Sequence, residues 1–346
     1  MTGVFADNRG NYNVAHKTKA RGGTREAEGA GMDYEGQICR APMERASFML
    51  PIMVGCSYNK CKFCNLFRHL KYRVLPIEQV EDEVKRVSAV GGNPSKVFFG
   101  DGNAFTLPTS HLLEVLDLVH EHFPACEMVN MDATVTSILH KSDEELRQLA
   151  DAGVKHLYLG IEAGLPDVLE FMNKDHTVEQ AREAIARIQA VGMCFDAHIM
   201  TGVAGEGRGE ENAHALAAFL NETKPAHICN FSLFLHDEVP LWKDVESGAF
   251  KPATELDNLK EERILIEELY ADAPEGLELK YDGFHDYIAE RVRGTLPRDR
   301  EKMLAKLDGI IAEYEAEDGP IYSFVSGPCS DPLSLETMQR IYALSA

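Results

Sequence analysis

The side chains best suited to chemistry in this 346-residue chain lie in Gly55-Cys56-Ser57-Tyr58-Asn59-Lys60-Cys61-Lys62-Phe63-Cys64, three cysteines spaced C-x4-C-x2-C. Three thiolates this close together can reach three iron corners of a cubane iron–sulfur cluster, which proteins hold through cysteine sulfur. Cys39 precedes the stretch and Cys126 lies far beyond it, so the fourth corner has no cysteine of its own. A metal position without a protein ligand belongs to a reactive site, as closed coordination belongs to a structural one. Two plainer readings compete. Zinc takes four N or S ligands, and His69 stands where it can supply the fourth by spacing alone; a second cysteine pair, usual in zinc knuckles, is missing. Alternatively the thiols carry no metal at all. Cys194, Cys229 and Cys329 are also scattered singly, which suits a reducing compartment better than a disulfide framework.

The elements that position this loop read as alternating strands and helices. The apolar run Phe48–Val54 precedes the cysteines and is expected to be a buried strand delivering its loop to one sheet edge. Further strands are expected at Lys96–Gly100, Cys126–Met131, His156–Ile161, Phe195–Met200 and His227–Leu235. Helices are expected at Ile77–Ala89, Thr109–His122, Asp143–Ala152, Val178–Val191 and Glu210–Asn221. Ser142 with Glu145, and Thr177 with Gln180, have the spacing of capping boxes. Val178, Ala181, Ile185 and Ile188 share one helical face, and Gly91, Gly153 and Gly192 stand where helices stop. This repetition implies parallel strands joined by right-handed crossovers. Beyond residue 235 a helix is expected from Glu255 to Ala271, a strand at Leu277–Tyr281 and a helix near Arg300–Tyr314.

The cysteine loop resembles the signature of the radical S-adenosylmethionine (radical SAM) superfamily, with one more residue between the first two cysteines than the usual C-x3-C-x2-C. The resemblance implies a 4Fe–4S cluster on Cys56, Cys61 and Cys64 whose open iron chelates S-adenosylmethionine (SAM). It implies reductive cleavage of SAM to methionine and a 5′-deoxyadenosyl radical that takes hydrogen from a substrate. It implies an aromatic neighbour of the adenine, matched by Phe63, and a fold of partial (β/α)6 parallel-barrel type. An electron donor such as flavodoxin or ferredoxin follows as a partner.

In parallel α/β folds ligands gather beyond the carboxyl ends of the strands, which selects the remaining candidates. Gly100-Asp101-Gly102-Asn103 after the second strand resembles the superfamily's glycine-rich turn, where the backbone receives the methionine amino group; glycine there is expected to let a ligand approach the main chain. Glu162, ending the fourth strand, matches an acid that accepts from ribose hydroxyls. Met200 and Gly202, ending the fifth, resemble the segment lining the adenine. Asp132, ending the third, faces the same rim and is a candidate for SAM or substrate. The turn around Gly202 lacks the Gly-Lys-Ser/Thr of a phosphate loop. His236 and His285 are candidate proton shuttles or substrate ligands, with a hydrogen-bonded structural histidine as the plainer reading. Cys229 and Cys329 are candidate hydrogen-atom donors, against the plainer reading of inert buried thiols.

Composition narrows the partners. Lys+Arg number 35 against 56 Asp+Glu, a net charge of −21. Nucleic-acid binders need a basic footprint, so no nucleic-acid partner is expected and a small-molecule substrate is. No apolar run reaches the roughly 18 residues of a membrane span, and the first residues lack a secretory segment, so a cytoplasmic location is expected. Three regions are expected: an arm at 1–45, weakly basic through His16, Lys17, Lys19, Arg21 and Arg25; a core at 46–235; and an α-rich region at 236–346 that caps the barrel and selects substrate. Two other functions stand beside radical chemistry on a small molecule: methyl transfer or tetrapyrrole chemistry on the same cluster, and a non-catalytic iron–sulfur redox protein. A pure electron carrier needs no SAM pocket, so the glycine turn and Glu162 speak against the last.

Overall fold

A computed structural model describes residues 4–6, 12–14, 40–272, 276–286 and 289–325. Its centre is one eight-stranded sheet: β1 (Phe48–Pro51), β2 (Lys96–Gly100), β3 (Met128–Ala133), β4 (Val154–Glu162), β5 (Cys194–Thr201), β6 (His227–Ser232), β7 (Leu279–His285) and β8 (Glu290–Leu296). The strands lie side by side in chain order, and each neighbouring pair is parallel except β7 with β8. A parallel sheet wound in one direction, with crossovers of one hand, places its helices on one face. The result is the expected α/β partial barrel.

The helices are α1 (Ile77–Ala89), α2 (Thr109–His122), α3 (Val135–Leu139), α4 (Asp143–Asp151), α5 (Pro166–Phe171), α6 (Val178–Ala190), α7 (Gly209–Thr223), α8 (Pro240–Glu246), α9 (Glu255–Glu268) and α10 (Arg300–Glu315). Both expected capping boxes form, at Ser142 for α4 and Thr177 for α6, and Thr254 adds another for α9. Each satisfies two backbone donors that a helix start leaves orphaned. Alternate strand residues face opposite ways. Leu50, Phe99, Leu157, Leu159, Phe195, Ala197 and Ile199 join the main core with the helices, whereas Met49, Phe98 and Tyr158 meet Ala41 and Met43 on the other side. The second face is more polar, and it carries Asn130, Asp132, His156, Asp196 and His198.

The 3-10 turn Pro42–Glu44 lies against that inner face. Glu44 is buried and accepts from Tyr158 Oη at 2.6 Å, Asn130 Nδ2 at 2.8 Å and the Ser47 hydroxyl. Within the N-terminal arm, Val4–Ala6 pairs antiparallel with Tyr12–Val14; the basic residues singled out there lie outside the described residues. Among the described residues the C-terminal third holds three helices, and it is not purely α-rich, because β7 and β8 extend the sheet. The run Glu290-Arg291-Val292-Arg293 is too charged to read as a buried strand, and it forms the sheet's edge, where charge is tolerated and discourages further pairing.

Candidate active site

The cysteine loop is closed at its base before its tip is formed. Beyond β1, Ile52 N donates to Gly100 O at 2.8 Å, and Met53–Val54 pairs antiparallel with Arg73–Val74. Gly55, at φ 81°, turns the chain out of this ladder, a conformation glycine takes without steric cost. Inside the four-residue spacer Asn59 is left-handed at φ 47° and donates to Phe67 O at 3.0 Å. Asparagine tolerates that region, so the longer spacer is absorbed locally. Arg68 gathers the other end by donating to Cys64 O at 2.6 Å and to Cys61 O.

Two outside segments hold the loop in place. Tyr58 Oη donates to Asn173 O at 2.6 Å, Asn173 Nδ2 to Lys60 O at 3.1 Å, and Lys62 N to Met172 O at 3.0 Å. Lys62 Nζ sits 3.0 Å from Asp244 of α8 and 3.9 Å from the ring centroid of Phe171. The loop is therefore braced by the turn after α5 and by α8.

Cys56, Cys61 and Cys64 are all half-buried and free of disulfides. Burial pushes all three thiols up, Cys64 to about 12; Cys61 is raised further by the charge of Cys56, and Cys64 by those of Cys61 and Cys56. Among the described residues, the one His/Cys/Asp/Glu group with ligand atoms all within 4.8 Å of one another lies elsewhere, at His156, Asp196 and His227. The thiols are thus more widely spread than the roughly 3.8 Å between sulfurs that share one tetrahedral zinc with bonds of about 2.3 Å. Convergent but spread thiols that need a cation to ionise fit a multi-iron cluster, whose binding releases their protons.

Lys174, which the sequence reading missed, is a buried cation at this site. It is 6% exposed and its Nζ lies 3.1 Å from Glu162 Oε1. Burial opposes its charge, but Cys61, Glu162 and Asp175 outweigh that and hold its pKa above the ordinary lysine value. Its ammonium stands 5.8 Å from the ring centroid of Phe63. The next residue, Asp175, accepts from Thr136 N at 3.0 Å and Thr136 Oγ1 at 2.9 Å, and pairs with His176 Nδ1 at 3.0 Å. Burial alone would raise its carboxyl, yet the His176 bond and Lys174 hold it below the carboxylate range. The signal in the sequence was the polar run Asn173-Lys174-Asp175-His176 between two helices, which reads as a surface turn.

The strand-end candidates fall into an inner and a covered group. Asn103 Nδ2 donates to Ser57 Oγ at 2.8 Å and Thr134 Oγ1 at 3.1 Å, tying the cysteine loop to the start of α3. Asp101 accepts from Gly55 N at 3.3 Å, and burial pushes its carboxyl up to about 7. Asp132 is pushed to about 8 by burial and then by the charges of Asp101 and Glu44, and its Oδ1 has no protein partner. Glu162 closes β4 at φ 63°, and Met200 is half-buried on β5. Gly100 has room, since a Cβ there would meet Met49 Cε at 3.6 Å and Pro51 Cα at 3.9 Å, both ordinary contacts. Gly102 has none: a Cβ would come within 2.2 Å of the Phe67 ring, so packing inside the protein already requires glycine. Gly202, at φ 79°, donates from its N to Glu261 Oε2 at 2.8 Å and lies under Asn258 of α9.

His236 is buried, and its Nδ1 accepts from Glu238 N at 3.1 Å, fixing a turn. Burial lowers its pKa. His285 is fully buried between Glu262 and Glu255, at 2.9 and 3.4 Å. Cys229 is buried on β6. Cys329 lies outside the described residues.

A singly wound parallel sheet that presents a three-cysteine loop at the carboxyl ends of its strands defines the class. The family model described as "Radical SAM superfamily" matches residues 50–219. Residues 50–219 thus carry a domain of that superfamily of enzymes, which works with a 4Fe–4S cluster and SAM. It is 27% identical over 187 residues to tRNA-2-methylthio-N(6)-dimethylallyladenosine synthase of Pelodictyon phaeoclathratiforme, covering 52% of this chain and 41% of that protein. It is 28% identical over 173 residues to the anaerobic magnesium-protoporphyrin IX monomethyl ester cyclase of Rubrivivax gelatinosus, covering 48% and 29%. The chain therefore spans well under half the length of these curated relatives. Among solved structures, coproporphyrinogen III oxidase of Escherichia coli aligns at a TM-score of 0.48 and 15% identity, over 65% of this chain and 51% of that one. No helix among the described residues is long and apolar enough to cross a membrane.

Proposed function

We propose that Cys56, Cys61 and Cys64 hold a 4Fe–4S cluster, that SAM is bound against the strand ends beside it, and that the substrate is a small molecule. The observation that carries this reading is three half-buried thiols on one loop, of which Cys61 acts electrostatically on the buried Lys174 that pairs with Glu162 at the carboxyl end of β4. When bound, cluster and SAM supply a strong hydrogen-abstracting radical. The chain's own part is positioning, where small displacements cost large factors in rate. Glu162, oriented by Lys174, accepts from the ribose; Asp132 offers its unpartnered oxygen to a ligand donor; Asp101 and Asn103 fix the turn that meets the methionine end; Phe63, Met200 and Gly202 line the adenine. The net charge of −21 supports a small substrate over a polyanion such as tRNA. Thiols and a cluster need a reducing compartment, so we assign the protein to the cytoplasm, with a flavodoxin or ferredoxin as electron donor.

Anaerobic reconstitution tests the reading directly. About four irons and four sulfides should load per chain, and replacing any one of Cys56, Cys61 or Cys64 by Ala should abolish the cluster. With dithionite and SAM, 5′-deoxyadenosine should appear. S-adenosylhomocysteine in its place would show methyl transfer, and a full cluster on Cys61→Ala would overturn the ligand assignment.

A further inference from the structure

A second group of ligating side chains stands near the other end of the same strands. His156 lies near the start of β4, Asp196 is the third residue of β5, and His227 is the first of β6. His227 and Asp196 are register partners, and Tyr158, two residues beyond His156, is opposite Asp196. All three side chains therefore project from one face of neighbouring strands. From Asp196 to Thr201, where β5 ends toward the cysteine loop, the strand rises through five residue steps of about 3.3 Å each, roughly 17 Å. The group is thus separate from the cluster site.

The carboxylate is sealed and the imidazoles are not: side-chain exposure is 1% for Asp196, 20% for His156 and 11% for His227. His156 Nδ1 lies 2.5 Å from Asp196 Oδ2, and His227 Nδ1 lies 3.0 Å from Oδ1. One ligand atom from each residue falls within 4.8 Å of the other two. His156 is held from behind as well, because its backbone N donates to Asn130 Oδ1 at 3.0 Å. Two residues along β5, His198 faces the same way with a buried Nε2 that has no protein partner.

We propose that His156, Asp196 and His227 bind one divalent transition-metal ion, zinc above all, with a coordination position left open on the half-exposed imidazole side. Two imidazoles and one carboxylate are a borderline donor set. Magnesium and calcium prefer all-oxygen shells and copper(I) prefers sulfur, whereas zinc with three protein ligands keeps a fourth position for water or an anionic group. A dication bound by the two ring nitrogens and the carboxylate would take the place of the two hydrogen bonds to Asp196, so the buried carboxylate keeps a positive partner. The open position faces the inner side of the sheet, where it can receive a carboxylate or phosphate of a small molecule. The site stands on its own residues and does not depend on how SAM is held.

Cluster-loaded, full-length protein should be dialysed anaerobically against zinc, analysed for metal, and examined at the zinc X-ray absorption edge. About one zinc per chain is expected beyond the cluster iron, with a first shell of nitrogen and oxygen that includes imidazole. The double variant His156→Gln/His227→Gln, changed at the half-exposed positions, should keep its iron and fold and lose zinc affinity by more than about 100-fold, beyond what outer-shell changes cause. The absorption edge of the unaltered protein decides the matter even if that variant misfolds. A sulfur-dominated shell, or zinc uptake no greater than that of a folded double variant, would overturn the site.

Discussion

Lys174 and His285 are both buried cations set between carboxylates, yet they stand in opposite surroundings. His285, Glu255 and Glu262 are all inaccessible to solvent. Buried side chains hold the carboxylates: Glu262 Oε1 accepts from Tyr281 Oη at 2.9 Å and Asn230 Nδ2 at 3.2 Å, and Glu255 Oε1 accepts from Ser232 at 3.0 Å and from Ser323. This cluster is a seam that joins α9 to β6 and β7. Lys174 meets Glu162 and Asp175 on one side and the half-open cysteine loop on the other. Sealed charges of this kind hold a fold in register; charges left open to a cavity remain able to act on a ligand. Breaking the first should therefore cost stability, and breaking the second should chiefly cost cofactor chemistry.

The largest effect is expected at the seam. His285→Gln leaves two buried carboxylates without their cation, a class of lesion that costs about 3–5 kcal/mol, to be read from denaturant midpoints at pH 7. Burial opposes the His285 charge, but Glu262 and Glu255 outweigh it and push the pKa up to about 10. A raised pKa stabilises the fold fully below the unfolded value, near 6.5, and that contribution fades as pH climbs toward 10. The thermal midpoint of the unaltered protein should therefore fall over that window more steeply than that of the variant. Parallel pH profiles would mean that His285 is neutral in the fold and that the contrast with Lys174 is mistaken.

The next effect should be electrical. Reduction adds negative charge to a cluster, and a nearby ammonium stabilises it, so charge around the site tunes the potential. Lys174→Met should shift the cluster midpoint potential downward by tens of millivolts, about 59 mV for each tenfold change in a one-electron equilibrium. Iron content should stay close to that of the unaltered protein. An unchanged potential with a large loss of stability would make Lys174 a second seam and erase the distinction.

How much of this was legible follows the same division. The cysteine spacing, the capping boxes at Ser142 and Thr177, and the long amphipathic helices α1 and α2 were plain in the sequence, because each is a local pattern. The short helices α3, α5 and α8 were not, since five to seven residues give periodicity too little room to show. Lys174 could not be seen because its burial depends on the cysteine loop folding back onto the turn after α5, more than a hundred residues away. Gly102 teaches a related lesson. A glycine expected to make way for a ligand instead makes way for Phe67, so Gly102→Val disturbs packing and is a poor probe of SAM.

The smallest effect is the most specific. Glu162 Oε1 is engaged by Lys174 at 3.1 Å, so the carboxylate has both a fixed orientation and a second oxygen for a ligand. Glu162→Gln keeps the shape and removes the charge, while Lys174 retains Asp175 and Cys61 as partners. The fold should be little affected. A charge-assisted bond to a ribose hydroxyl would become a neutral one, a loss of about 1 kcal/mol or somewhat more. Because each 1.4 kcal/mol is a factor of ten, SAM affinity in equilibrium dialysis of the cluster-loaded protein should fall about tenfold, with iron content unchanged. Unaltered affinity together with a lowered thermal midpoint would assign Glu162 to Lys174 alone, and SAM would then have to be held by Asp132 and the turn at Asp101.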